Sequence, residues 1–189
     1  MIKVGILAFQ GDIEEHYAAV LSLGVKCVRV REEKDFTNLT HLILPGGEST
    51  TIGKFLKSTG IGAVIKEKVK NNSLKVYGTC AGAILLAKNI ETKVPVHNLG
   101  LIDVTISRNA YGSQIDSFST KIEFIPLQQT LQAIFIRAPK ILQCGENVQV
   151  LAKQKKDIVA VQEGNVLLST FHPELVRPAY LHEYFIKKF

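Results

Sequence analysis

One cysteine lies in a sequence context that is typical of a catalytic nucleophile. Cys80 is the centre of Gly78-Thr79-Cys80-Ala81-Gly82, between an apolar run that starts at Lys75 and helix-forming residues. This G-x-C-x-G pattern predicts a strand, a sharp turn and a helix, with a strained central residue and no room for side chains two positions away. The start of that helix can stabilise a thiolate or a developing oxyanion. Without a partner base, the pattern is also compatible with a small buried side chain.

A cysteine nucleophile needs a base, and His172 is the best candidate. It follows an apolar strand that ends at Ser169, where active sites of parallel sheets collect. Glu174 lies two residues later, and in an extended segment both side chains would point to the same side, so the carboxylate could orient the imidazole. We do not expect the base among the other histidines, which lie on the first helix, at a strand start, in a loop and on the last helix: His16, His41, His97 and His182.

A second turn offers backbone amide groups for ligand binding. The apolar strand 41–45 ends in Gly46-Gly47-Glu48-Ser49-Thr50, and paired glycines at the carboxyl end of a parallel strand leave amides exposed where ligands usually bind. Ser49 or Thr50 could cap the following helix. The stretch is equally compatible with a plain strand–helix turn.

The elements that must position these residues alternate in the first half of the chain. An apolar strand at residues 2–8, a helix that Asp12 and Glu15 could cap and a strand at 25–30 form a βαβ unit, which predicts parallel strands. After the Cys80 turn, short strands follow one another without helices, which predicts antiparallel hairpins. We therefore predict a single domain, residues 1–189, with an α/β, flavodoxin-like three-layer sandwich: a mostly parallel central sheet, helices on both faces and added antiparallel strands in the second half.

The bulk composition narrows the class of protein. Of 189 residues, 46% are hydrophobic and 21% charged, which is typical of a globular domain, and no apolar run is long enough to cross a bilayer. The net charge of +6 comes from scattered basic residues without a nucleic-acid motif, so we expect no binding to nucleic acid or membranes. The basic residues are also compatible with a docking surface for an acidic partner. Three cysteines without a C-x-x-C pair predict no disulfide framework and no zinc site, and favour the cytosol. The N-terminus is interpreted as a strand, not a signal peptide.

Together these motifs resemble those of the class I (triad-type) glutamine amidotransferases. More narrowly, the chain resembles the family of glutaminase subunits of pyridoxal 5′-phosphate synthases. The narrower resemblance covers the whole chain and depends on additional stretches. These are Gly5-Ile6-Leu7-Ala8-Phe9-Gln10-Gly11-Asp12, Leu44-Pro45-Gly46-Gly47-Glu48-Ser49-Thr50-Thr51, Ser107-Arg108-Asn109-Ala110-Tyr111-Gly112 and Phe135-Ile136-Arg137-Ala138-Pro139.

The resemblance implies hydrolysis of L-glutamine to glutamate and ammonia through a cysteine thioester. Cys80 would be the nucleophile, His172 the base and Glu174 the residue that orients it. The backbone N–H groups of Gly47 and Ala81 would form the oxyanion hole. The implied glutamine-binding residues are Gly47, Glu48, Ser49, Arg108, Ile136 and Arg137. Either arginine suits a free amino acid, because a guanidinium can hold a carboxylate with two hydrogen bonds, although a surface salt bridge is the ordinary alternative.

The resemblance also implies a partner. In this family ammonia passes to a (β/α)₈ pyridoxal 5′-phosphate synthase subunit, within a large hetero-oligomer that serves vitamin B6 biosynthesis. Gln10 would lie near that interface and help to order the oxyanion hole. The resemblance implies no metal and no cofactor for the glutaminase itself.

Two departures and two alternatives accompany this interpretation. Ser113 replaces an arginine that is usual in the family, and the segment 117–133 is less acidic than expected. A cysteine hydrolase or stress protein of the flavodoxin-like superfamily would share the cysteine turn, but usually has its histidine just after the cysteine. A non-enzymatic regulator with a glutaminase-like fold would predict a broken triad, whereas all three members are present.

Overall fold

The computed structural model of the chain describes residues 2–108 and 117–189, so Ser113 and residues 109–112 of the family motif lie outside the described residues. Within these ranges the helices are α1 (Ile13–Ser22), α2 (Ser49–Ser58), α3 (Ile61–Lys70), α4 (Ala81–Leu86) and α5 (Tyr180–Lys187). The strands are β1 (Lys3–Leu7), β2 (Lys26–Val30), β3 (His41–Leu44), β4 (Lys75–Thr79), β5 (Ala87–Glu91), β6 (Ile102–Ser107), β7 (Phe118–Phe124), β8 (Gln129–Phe135), β9 (Lys140–Cys144), β10 (Gln149–Gln154), β11 (Asp157–Glu163) and β12 (Val166–Ser169). No helix in the described ranges is long and apolar enough to cross a membrane.

A nine-stranded sheet runs through the molecule in the order β2-β1-β3-β4-β12-β11-β10-β7-β8. The first five strands pair in parallel and the last four are added antiparallel, as the change of pattern after Cys80 predicted. β12 returns late in the chain to pair with β4, and Ser169 lies opposite Thr79. This pairing places the segments that carry Cys80 and His172 side by side.

The sheet has a hydrophobic core on each face, which confirms the predicted α/β sandwich. Helices α2, α3 and α4 cover one face through buried residues such as Leu56 and Ile65. Helices α1 and α5 cover the other face, where Val20 and Phe185 are fully buried. A small second sheet, β5-β6-β9, extends the first core. All five parallel strands direct their carboxyl ends to the same edge.

Some local predictions were wrong. The sequence does not indicate strands at β5 or β9, because neither segment has a clear alternation of apolar and polar residues. Asp12 precedes α1 but its side chain makes no capping hydrogen bond, since the carboxylate is directed to His172 instead. Glu48, and not Ser49 or Thr50, caps α2: its carboxylate accepts a hydrogen bond from the backbone N–H of Thr50.

The glycines of the cysteine turn are required by close packing, as the motif predicted. A Cβ atom at Gly82 would lie 2.0 Å from the carbonyl oxygen of Leu44 on the neighbouring strand. A Cβ atom at Gly78 would lie 2.6 Å from the backbone of Gly82. Both contacts involve backbone atoms, which cannot move aside as a flexible side chain could. The turn can therefore approach β3 only without these side chains.

We expect Gly82→Ala to lower the free energy of unfolding by about 3 kcal/mol, because β3 and the cysteine turn must separate. The matched control is Gly164→Ala in the β11–β12 turn, where an added Cβ meets nothing within 4 Å and only a left-handed φ of 52° is unfavourable. That control should lose only about 1 kcal/mol. Denaturant unfolding measures both variants, and equal losses would contradict the packing argument.

Candidate active site

A cavity of about 480 Å³ lies at the carboxyl ends of the parallel strands. The structure brings almost every predicted site residue to its wall: Gln10, Gly47, Glu48, Ser49, Cys80, Ala81, Arg108, Ile136, Arg137 and His172. Glu174 is the exception, since it lies behind His172 and is buried. Four further residues line the cavity that were not predicted as site residues: Gly11, Asp12, Ile84 and Leu175. Residues of the two halves of the chain thus meet at one site.

Cys80 occupies the strained turn that the motif predicted. Its backbone has φ 48° and ψ −103°, which is an unfavourable conformation for a residue with a Cβ atom. The backbone N–H of Cys80 donates to the carbonyl oxygen of Ser169, which holds the turn against β12. The thiol is largely buried but reaches the cavity, and its Sγ lies 3.8 Å from the carbonyl oxygen of Ile136, to which it can donate.

His172 is held by contacts on one side and open on the other. Its Nδ1 lies 2.7 Å from Oε1 of Glu174, and its backbone N–H donates to the carbonyl oxygen of Ile134. Among the described residues, Nε2 has no hydrogen-bond partner. The predicted extended conformation of this segment was wrong, because residues Pro173–Leu175 form a 3-10 turn. The predicted contact between the side chains of His172 and Glu174 is nevertheless present.

Asp12 supplies a second carboxylate to His172. Its Oδ2 lies 3.3 Å from Nδ1, and its side chain is partly exposed to the cavity, whereas Glu174 is inaccessible. Asp12 was predicted only as a helix cap, because no local pattern links residue 12 to residue 172. Its place in the loop after β1, at the active edge of the sheet, was the available signal.

The electrostatics of this cluster favour a protonated imidazole. Burial alone would lower the pKa of His172, but its interactions with Asp12, Cys80 and Glu174 outweigh burial and raise the pKa to about 12. The hydrogen bond with His172 lowers the pKa of Asp12. Burial raises the pKa of Glu174, although its interaction with His172 acts in the opposite direction. The two carboxylates therefore stabilise positive charge on His172.

Asp12, His172 and Glu174 are all side chains of types that can bind a cation. The ligand atoms of Asp12, His172 and Glu174 lie within 4.8 Å of one another. The short contact between Nδ1 of His172 and Glu174 accounts for their arrangement as an acid–base group. We therefore assign no metal to these side chains.

The loops after β1 and β3 are tied together at the cavity. The backbone N–H of Asp12 donates to the carbonyl oxygen of Gly46, and that of Glu48 donates to Oε1 of Gln10 at 2.7 Å. Gly47 has φ 146°, a conformation that favours glycine, and a Cβ there would lie 2.7 Å from the Gln10 side chain. Gln10 therefore sets the conformation of the Gly47 turn.

Opposite charges line the wall next to this turn. Arg108 Nη2 lies 2.6 Å from Oε1 of Glu48, which also accepts a hydrogen bond from the Thr50 hydroxyl. Burial acts to raise the pKa of Glu48, but the Thr50 hydrogen bonds and the charges of Arg108 and Arg137 outweigh it and lower the pKa. Arg137 has a left-handed backbone, with φ 45°, at the same wall. The hydroxyl of Ser49 is buried there without a hydrogen-bond partner among the described residues.

Comparisons with known proteins place this site in a family. The model of the SNO glutamine amidotransferase family matches residues 6–189. The chain belongs to this family. Relatives named pyridoxal 5′-phosphate synthase subunit PdxT include one from Clostridium acetobutylicum, which is 48% identical over 98% of this chain and all of the relative. One from Thermotoga maritima is 45% identical over 98% of each.

Solved structures agree with the SNO glutamine amidotransferase assignment. One crystal structure of a glutamine amidotransferase is 43% identical, covers 97% of each chain and superposes with a TM-score of 0.93. A putative GMP synthase subunit from Thermoplasma acidophilum is only 15% identical with a TM-score of 0.69, so it shares the fold alone. Membership of this enzyme family sets aside both the flavodoxin-like stress protein and the non-enzymatic regulator.

Proposed function

We propose that the chain hydrolyses L-glutamine to L-glutamate and ammonia, with Cys80 as nucleophile, His172 as base and Glu174 as the residue that orients it. The observation that carries this proposal is the strained Cys80 turn next to a His172 imidazole whose Nδ1 is held by a buried carboxylate. Residues 1–189 would form a single glutaminase domain, since β12 from the end of the chain pairs with β4 in the middle of the shared sheet.

The reaction proceeds in two balanced steps. The Cys80 thiol first gives its proton to His172, whose imidazolium the neighbouring carboxylates stabilise. The thiolate sulfur then attacks the side-chain amide carbon of glutamine, and His172 passes the proton to the departing nitrogen, so that ammonia leaves and a γ-glutamyl thioester remains. Water, deprotonated by His172, then attacks the thioester, and the sulfur leaves with the proton. The backbone N–H groups of Gly47 and Ala81 would stabilise the oxyanion in both steps.

The charged wall suits the amino-acid end of glutamine. The Arg108–Glu48 pair presents both signs of charge, so the arginine could bind the α-carboxylate and the glutamate the α-ammonium group. Arg137 adds positive charge nearby, and the hydroxyl of Ser49, which has no hydrogen-bond partner among the described residues, could bond a ligand. The backbone of Ile136, with the Gly47 turn, would complete the glutamine site.

We further propose that the ammonia passes to a (β/α)₈ pyridoxal 5′-phosphate synthase subunit in a large hetero-oligomer, for vitamin B6 biosynthesis. The naming of close relatives as subunits of that synthase supports this partner. Gln10 would lie at the interface, and its bond to the Gly47 turn links the interface to the oxyanion hole. The three cysteines are free thiols, which suits the reducing cytosol.

The proposal is tested by mixing the purified chain with its synthase subunit, a pentose phosphate, a triose phosphate and glutamine as the sole nitrogen source. We expect glutamate release to rise when the synthase is added and pyridoxal phosphate to form at a matching rate. An ammonium salt in place of glutamine is the control that bypasses the glutaminase. Glutamate release that does not respond to the synthase would contradict the assigned partner, and none in its presence would contradict the glutaminase.

A further inference from the structure

A buried polar cluster lies behind the proposed triad, on the side of Glu174 away from His172. His16 of α1 and His182 of α5 are completely buried, and Nδ1 of His16 lies 2.9 Å from Nε2 of His182. Nε2 of His16 lies 3.0 Å from the Thr79 hydroxyl and 3.4 Å from Oε2 of Glu174. The proposed mechanism uses neither histidine.

Glu174 needs a donor on this side. Its Oε1 pairs with His172, but among the described residues its buried Oε2 has no partner that satisfies strict hydrogen-bond geometry. A buried carboxylate oxygen without a donor is costly, because it has lost its hydration. Nε2 of His16 is the group placed to supply one.

The positions of the protons follow from the contacts. If His182 carries its proton on Nε2, it donates to Nδ1 of His16, and His16 then carries its own proton on Nε2, facing Thr79 and Glu174. In the reverse arrangement, Nδ1–H of His182 would be a buried donor without a partner among the described residues, and a lone pair of His16 would face the Glu174 carboxylate. The first arrangement is favoured on both counts.

Both histidines must be neutral for this arrangement, and their surroundings keep them so. Burial lowers the pKa of His16 well below its ordinary value, with further contributions from His182 and His172. Burial, assisted by the charge of Arg177, lowers the pKa of His182 to about 3. Among the described residues, the carboxylate of Glu174 is in direct contact with His16. The ring of Tyr77 packs against His182, and burial raises the pKa of its hydroxyl well above the ordinary value, so Tyr77 is also neutral.

We propose that neutral His16 is a positioning residue for the triad, which donates a hydrogen bond from Nε2 to Oε2 of Glu174 and is itself held in this tautomer by His182. The inference rests on the proposed glutaminase function. Through this contact α1 fixes the carboxylate that orients His172 and keeps it ionised. His16 does not line the cavity, so its contribution is to the rate and not to glutamine binding.

Variants of His16 test the proposal in the complex with the synthase subunit. We expect His16→Ala to lower kcat about tenfold at unchanged KM. Loss of the donor raises the pKa of Glu174 further, so Glu174 becomes protonated at a higher pH and no longer orients His172. The acidic limb of the kcat profile should therefore move up by about one pH unit. His16→Gln retains an amide donor and should recover most of both effects.

His41 provides the matched control. It is also buried and has an unpartnered Nε2 within the described residues, but it lies at the start of β3, at the opposite edge of the sheet. His41→Ala should reduce stability without moving the acidic limb or KM. A His16→Ala variant that folds and keeps the wild-type kcat and acidic limb would overturn the proposal, as would an equal shift of the limb in His41→Ala.

A measurement on the unmodified chain covers the case in which His16 variants fail to fold. Nitrogen-15 NMR of the histidine rings, assigned with His182→Gln, should show His16 and His182 as neutral Nε2–H tautomers at pH 7. An Nδ1–H tautomer or a charged ring at His16 would overturn the proposal. The NMR measurement does not depend on turnover, so it tests the positioning role of His16 separately. Glutamate release by the wild-type chain tests the glutaminase function.

Discussion

Cys80→Ala is expected to lower glutamine hydrolysis by at least about 10⁴-fold, because no other cysteine of the described residues lines the cavity and could form the thioester. The fold should persist, since alanine is smaller than cysteine and, with the same Cβ atom, adds no strain to the backbone at φ 48°. Glutamate release in the presence of the synthase subunit measures the loss. Co-purification or light scattering should show that the variant still binds the synthase.

The other two cysteines provide controls for this prediction. Burial raises the pKa of Cys27 to about 12 and also raises that of Cys144, so both thiols stay protonated at neutral pH. We expect Cys27→Ser and Cys144→Ser to retain activity within about threefold and to leave alkylation of Cys80 unchanged. Substantial hydrolysis by Cys80→Ala, or its loss in either control, would contradict the assigned nucleophile.

Glu174→Gln is expected to lower kcat by about 10³-fold, because its amide cannot stabilise the imidazolium that forms when His172 takes the thiol proton. The measurement is kcat and KM for glutamine, and KM should change little, since Glu174 does not line the cavity. The pKa of His172 should also fall, which is observable as a shift in the pH dependence of Cys80 alkylation.

Asp12→Asn is the matched comparison, because Asp12 also contacts Nδ1 of His172. Its contact is longer, 3.3 Å against 2.7 Å, and its carboxylate is partly exposed, so water screens the charge. We expect less than a tenfold loss of kcat. If Asp12→Asn were the more damaging of the two changes, Asp12 and not Glu174 would be the residue that orients the base.

Much of this site could be predicted from the sequence because its main signals are local. The spacing of Gly78, Cys80 and Gly82 predicted the strained turn, and the structure shows the backbone contacts that exclude larger residues. The change from strand–helix alternation to consecutive strands predicted the parallel and antiparallel halves of the sheet. The contact between His172 and Glu174 was predicted although the segment is a 3-10 turn and not extended. Side chains two residues apart can meet in either conformation.

The sequence by itself therefore determined the class of fold and indicated the candidate nucleophile and the candidate base, since each depends on residue type and short-range spacing. Only the tertiary structure decided what surrounds them. Asp12 lies just before α1 and His16 lies within it. They reach His172 and Glu174 across about 160 residues of chain because α1 packs against the turn at Pro173–Leu175 and against α5. Such contacts are set by how helices pack on a sheet, and no local pattern in the sequence records them.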